Sequence, residues 1–167
     1  MELKHRPAQP RTRTPRAAHT GLDVLVTSVA SDAHTWNLIY LQLLLEESGH
    51  RVTNLGACVP DQLLVDECLA RRPDLVVVST VNGHGLNDGR RVIEQLRSHP
   101  ELRDTQVVIG GKLGIAGSEQ GDQIAELTKA GFNAVFPDGA AITGFNDFVQ
   151  AIPARSARRA LPLAGAR

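Results

Sequence analysis

Between residues 21 and 152, five short apolar runs alternate with five segments of helical length, and that alternation leaves little choice of fold. Asp23–Val29 reads as a buried strand, and Trp36–Ser48 as an apolar helix stopped at Gly49. Arg51–Leu55 is a second strand; the helix after it starts near Pro60, runs to about Arg72 and is ended by Pro73. Asp74–Ser79 is β-branched and has the character of a central strand. Residues 88–98 place Val92, Ile93 and Leu96 on one helical face. Gln106–Ile109, Asn133–Phe136 and the helices Glu119–Ala130 and Ile142–Ile152 complete the pattern. Strands that alternate with helices through short loops form one parallel α/β sheet, and right-handed crossovers put helices on both faces. A flavodoxin-like (Rossmann-like) five-stranded sheet of order 2-1-3-4-5 is the expected architecture.

The chain has 167 residues, enough for one domain and too few for a catalytic α/β barrel of roughly 250. No apolar run approaches the roughly 20 residues that span a bilayer, and residues 1–20 lack the apolar stretch of a signal peptide. Two cysteines, Cys58 and Cys68, are too few for a disulfide scaffold or a cysteine-rich zinc site. They read as buried packing residues, and the expected compartment is the cytoplasm. The zero net charge hides an asymmetry: residues 1–20 carry +4 and residues 153–167 carry +4, so residues 21–152 carry −8. An acidic body argues against a nucleic-acid-binding surface. Both ends are basic and rich in Pro, Ala, Thr and Arg, which cannot bury enough apolar surface, so residues 1–20 and 153–167 are expected to be disordered tails flanking a folded unit at 21–152.

Ligands bind such sheets at the carboxyl ends of the strands, so the loops after strands one, three and four carry the chemistry. The first contains Ser31-Asp32-Ala33-His34-Thr35-Trp36-Asn37. An acid two residues before a histidine can orient the imidazole and fix its tautomer, as partners of metal-ligating histidines do. Asp32 can equally be a helix cap, and one histidine is a poor site for a free metal. After strand three come Ser79-Thr80-Val81-Asn82-Gly83-His84-Gly85, either a ligand-approach loop or an ordinary turn, with His84 a loop residue. After strand four, Gly110-Gly111-Lys112-Leu113-Gly114-Ile115-Ala116-Gly117 reads as a wide loop of low relief suited to a large flat ligand. Neither the phosphate-binding loop, the dinucleotide fingerprint nor the G-x-S-x-G elbow is present. Ser79 and Thr80 stand where a phospho-receiver needs an aspartate.

Asp32-x-His34, Ser79 at the end of strand three and Gly110-Gly111 after strand four resemble the cobalamin (vitamin B12) binding domain family. Within it, Ser31–His34, Val52–Gly56, Asp74–Val81 and Gly110-Gly111 are similar in spacing to the small sigma subunits of glutamate mutase. The resemblance covers residues 22 to about 150. One position departs from it: the family pattern D-x-H-x-x-G ends here in Asn37, where the glycine lets the cofactor's nucleotide tail pack closely.

The resemblance implies an adenosylcobalamin cofactor with His34 as lower axial ligand of cobalt and Asp32 holding the other ring nitrogen. It implies that the nucleotide tail runs between the sheet and the first and last helices. Ser79 would hydrogen-bond the benzimidazole, and the apolar helix Trp36–Leu45 would pack against the tail. Cofactor contacts would come from Ser31, Asp32, Ala33, His34, Thr35, Asn37, Ser79, Thr80, Val81, Gly110, Gly111, Lys112, Leu113, Gly114, Ile115 and Ala116. It further implies an isomerase that interconverts L-glutamate and threo-3-methylaspartate by a radical rearrangement, with the amino-acid substrate held in the barrel of a large epsilon partner subunit. No catalytic residue is assigned to this chain. The alternatives are the small subunit of another B12-dependent mutase, a corrinoid carrier for methyl transfer and a B12-sensing module. No nucleic-acid or membrane partner is expected.

Overall fold

A computed structural model describes residues 20–114, 120–138, 140 and 142–153. Both basic ends, and Ile115 and Ala116, lie outside the described residues. The elements are β1 (Asp23–Thr27), α1 (Trp36–Glu47), β2 (Arg51–Asn54), α2 (Asp61–Arg71), β3 (Leu75–Thr80), α3 (Gly85–Ser98), β4 (Gln106–Gly111), α4 (Gln120–Ala130), β5 (Ala134–Pro137) and α5 (Ile142–Ala151). A 3-10 turn, Pro100–Leu102, separates α3 from β4. The sheet is parallel throughout and ordered β2-β1-β3-β4-β5, the order expected from the alternation of runs.

All six residues of β3 are buried, which explains its unbroken apolar, β-branched character. The other central positions divide by parity. Leu25, Val76, Val78, Val107 and Ile109 point to one face and pack against α2, α3 and α4 through Leu64, Val92, Ile93 and Leu127. Val24, Val26, Leu75, Val77 and Val108 point to the other face, against Leu38 and Leu45 of α1 and Phe145 and Val149 of α5. The first and last helices therefore lie side by side on one face.

Most boundaries shift by one or two residues from the sequence reading, and two of the differences bear on the site. Gly110 and Gly111 belong to β4, paired with Ser79 and Thr80 on one side and Phe136 and Pro137 on the other, and do not begin a loop. Helix α3 begins at Gly85, three residues before the expected start, with His84 at its N-cap. A Cβ on Gly85 would lie 2.7 Å from the Thr80 side chain, so glycine lets the helix start against the sheet. The cysteines also part company: Cys68 is buried in the core, but Cys58 is exposed and adopts φ +52°, so it is not a packing residue. Among the described residues, no helix is long and apolar enough to cross a membrane.

Candidate functional site

The chain leaves β1 through buried Thr27, Ser28 and Val29, turns at Ser31, and buries Asp32 completely. A buried carboxylate needs donors, and Asp32 collects them from two segments, its own loop and the end of β3. Its Oδ1 accepts from the His34 backbone N–H at 3.0 Å and lies 2.6 Å from His34 Nδ1. Its Oδ2 accepts from the Thr80 hydroxyl at 2.8 Å and the Val81 N–H at 2.6 Å. Burial pushes the Asp32 pKa up, but the His34 and Val81 N–H groups, the His34 ring and the Thr80 hydroxyl outweigh it and hold the carboxyl at about 2. Asp32 is therefore ionised at neutral pH. It does not cap α1: the N-cap is Thr35, with no side-chain cap bond. The helix-cap reading of Asp32 is thereby corrected.

The His34 side chain stays 52% exposed. With Nδ1 facing the carboxylate, Nε2 is the nitrogen left for a ligand, and the carboxylate fixes the tautomer and orientation of the ring. Among the described residues, no group of three or more His, Cys, Asp or Glu side chains converges to hold a metal ion. A metal bound by His34 must bring most of its own ligands.

A second ring of polar contacts, invisible in the linear spacing, braces this loop against the one after β3. Asn82 Nδ2 donates to the Ser31 carbonyl at 3.0 Å and to Ser31 Oγ at 2.8 Å, while its Oδ1 accepts from the His84 N–H at 2.9 Å. The Ser31 hydroxyl donates to Asp88, which also accepts from Arg91 at 2.7 Å. Arg91 reaches on to Asp61 of α2. Burial raises the Asp88 pKa, but the Ser31 hydroxyl and the Arg91 guanidinium prevail and hold it below the ordinary carboxylate range.

Beside the Asp32–His34 pair, an apolar groove of about 260 Å³ opens between α1, α5 and the carboxyl ends of β3, β4 and β5. Trp36, Tyr40, Ser79, Gly110, Phe136 and Phe145 are among its walls. The rings of Phe136 and Phe145 meet edge to face at 5.5 Å and firm one side. Asn37, only 5% exposed, also lines the groove and donates from Nδ2 to Ser79 Oγ at 2.7 Å. Its Oδ1 is buried without a hydrogen-bond partner. A buried orphan acceptor is costly, and at the wall of a groove it marks where a ligand atom belongs.

The structure gathers Ser31, Asp32, His34, Thr80 and Val81 into one hydrogen-bonded cluster and sets Asn37, Ser79, Val81, Gly110 and Gly111 along the adjacent groove. Ala33 and Thr35 are exposed in the same loop. It does not bring Leu113 or Gly114 there: Leu113 is buried in the core beneath α3 and α4, and Gly114 lies at a shallow hollow beside His84. Lys112 is exposed, its N–H bonded to the Thr80 carbonyl at 2.8 Å. The two strand glycines have a reason within the sheet. A Cβ on Gly111, at φ +99°, would lie 2.0 Å from the Thr80 carbonyl oxygen, and one on Gly110 would lie 2.8 Å from that of Phe136. The sequence reading gave no site role to Asn82, Phe136 or Phe145; no local motif marks them, because only the sheet order sets β5 and α5 beside β4 and the loop after β3 against the loop after β1.

A B12 binding domain model matches residues 22–139. The glutamate mutase sigma subunit of Halobacterium salinarum is 30% identical over 129 residues, which is 77% of this chain and 83% of that protein. The sigma subunit of Fusobacterium nucleatum is 27% identical over 119 residues, covering 71% of this chain and 87% of its own length. Among solved structures, a cobalamin-binding protein from Desulfitobacterium hafniense superposes with a TM-score of 0.62 at 22% identity, over 78% of this chain and 58% of that one. That likeness establishes a shared fold, and this chain spans little more than half of that protein. The sheet order, the matched span and the sigma-subunit relatives agree, and the chain belongs to the B12-binding domain family.

Proposed function

We propose that this chain is the cofactor-binding small subunit of an adenosylcobalamin-dependent carbon-skeleton mutase, specifically glutamate mutase, which interconverts L-glutamate and threo-3-methylaspartate. The observation that carries the reading is the buried, ionised Asp32 held 2.6 Å from Nδ1 of a half-exposed His34, at the mouth of an apolar groove. Relatives named glutamate mutase sigma subunit, matched over most of their length, support the choice of substrate.

The residues present fit the cofactor. His34 would ligate cobalt through Nε2, with Asp32 holding the imidazole in one tautomer and orientation. The groove between α1 and α5 would hold the nucleotide tail, with Ser79 and Asn37 offering its polar contacts. When bound, the cofactor supplies homolytic carbon–cobalt chemistry that no side chain can perform.

A sheet with its site on one edge covers one side of a flat macrocycle, and reactive chemistry needs the other side shielded from water. A large barrel subunit would provide that cover and hold the amino-acid substrate. The exposed stripe of α1 supports a partner: Ile39 and Leu43, with Trp36 and Tyr40 that also wall the groove, are spaced i, i+3, i+4 and i+7 and each more than half exposed.

Loading ¹⁵N-labelled protein with the Co(II) form of the cofactor and recording its EPR spectrum tests axial ligation. Superhyperfine coupling from a protein nitrogen that disappears in His34→Gly is expected; coupling from the cofactor's own benzimidazole alone refutes the reading. Mixing the chain with a large mutase subunit, adenosylcobalamin and L-glutamate should yield 3-methylaspartate, with no turnover from either protein alone.

A further inference from the structure

We propose that Asn37 and Ser79 together select the base of the cofactor's nucleotide tail, favouring one that carries a hydrogen-bond donor, such as adenine, over dimethylbenzimidazole. The inference rests on the cobalamin-binding reading above and deepens it to a ligand class.

The observation is the pairing inside the groove. Asn37 and Ser79 are 5% and 6% exposed, and their one mutual hydrogen bond, 2.7 Å long, leaves both incompletely satisfied. Asn37 Nδ2 donates to Ser79 Oγ, so the Ser79 proton is free to donate and Asn37 Oδ1 is free to accept. If the amide is turned about, Ser79 donates to Oδ1, and Nδ2 is then the spare donor and Ser79 Oγ the spare acceptor. In either orientation the pair has at least one donor and one acceptor that its mutual bond does not use.

Bases differ in how they meet such a pair. Dimethylbenzimidazole, once detached from cobalt, offers one ring nitrogen as acceptor and no donor. It satisfies the donor of the pair and leaves the acceptor orphaned among the aromatic walls of Phe136 and Phe145. Adenine carries an exocyclic amino group next to a ring nitrogen, one donor beside one acceptor, the complement of what Asn37 and Ser79 display. A site built to bond a polar edge rejects an analogue that lacks it, because its own buried group is then left unpaired. Glycine at position 37 would offer no acceptor.

The test is equilibrium binding, read by the cofactor's absorbance after ultrafiltration, with two adenosylcobamides that differ only in their lower base, adenine or dimethylbenzimidazole. The full chain should bind the adenine form about tenfold or more tightly than the benzimidazole form. Asn37→Gly should erase that preference, chiefly by gaining affinity for the benzimidazole form, and Asn37→Ala serves as a second variant should glycine disturb the first turn of α1. Equal affinities of the wild-type chain for the two cobamides, as expected if a water satisfies Oδ1, overturn the proposal, as does tighter binding of the benzimidazole form. A preference that persists in both variants overturns the role of Asn37. Binding of neither cobamide refutes the cobalamin-binding reading itself, and so is distinguishable from failure of the base selection alone.

Discussion

The Asp32 carboxylate, with no exposed surface, lies 2.6 Å from Nδ1 of a His34 side chain that is half exposed. One partner is anchored in the sheet by Thr80 and Val81, and the other projects to the surface where a ligand arrives. A buried carboxylate behind a half-exposed imidazole fixes the ring's tautomer without burying it.

Replacing Asp32 with Asn keeps the side chain's shape but leaves an NH2 group facing at least one donor. Cofactor affinity should fall on the order of 10–100-fold, as for loss of an outer partner at a metal site. Titration of the variant with adenosylcobalamin, alongside circular dichroism to confirm the fold, checks this. Unaltered affinity would show that the carboxylate only braces the loop.

Gly111 and Gly121 should respond oppositely to alanine. A Cβ at Gly111 meets the Thr80 carbonyl at 2.0 Å in a backbone conformation at φ +99°, so Gly111→Ala should cost about 3 kcal/mol or more. Gly121 lies within α4 with nothing near its Cβ, so Gly121→Ala should stabilise by about 0.5–1 kcal/mol. Urea denaturation of the two variants measures both signs.

The Asp88 contribution to stability should depend on pH. Because its native pKa lies below that of the unfolded chain, the ionised carboxylate stabilises the fold above the ordinary carboxylate value of about 4, and the contribution is lost as pH falls through the native value. The stability gap between the wild type and Asp88→Asn should therefore be full at pH 7 and shrink towards pH 3. A gap independent of pH would mean that Ser31 and Arg91 do not favour the charged form.

The two thiols should be told apart by alkylation. Burial, helped by the neighbouring Glu67 charge, pushes the Cys68 thiol up to about 12, whereas Cys58 is exposed. At pH 8 the native protein should take up one equivalent of iodoacetamide, at Cys58, and a second only in denaturant. Peptide mapping identifies the site, and equal labelling of both cysteines in the native protein would contradict the buried placement of Cys68.

The order of the elements and the parallel sense of the sheet follow from the sequence alone, because unbroken apolar runs alternate with segments of helical length through short loops, and such crossovers are right-handed. Asp32 and His34 were legible as candidates because residues two apart in one loop can meet without help from distant elements. What only the tertiary structure decided is everything joined across strands. Gly110 and Gly111 read as a loop because glycine signals turns locally, yet pairing with Ser79, Thr80, Phe136 and Pro137 makes them strand. Two of the donors that hold Asp32 ionised, Thr80 and Val81, lie almost 50 residues away. Asn37 meets Ser79 over a separation of 42 residues, and that contact turns a departure from the family pattern into a polar pair in an apolar groove. Periodicity encodes which face of an element is buried. It carries no record of which distant atom completes a hydrogen bond, because that depends on strand order and register, and those are settled only when the whole core packs at once.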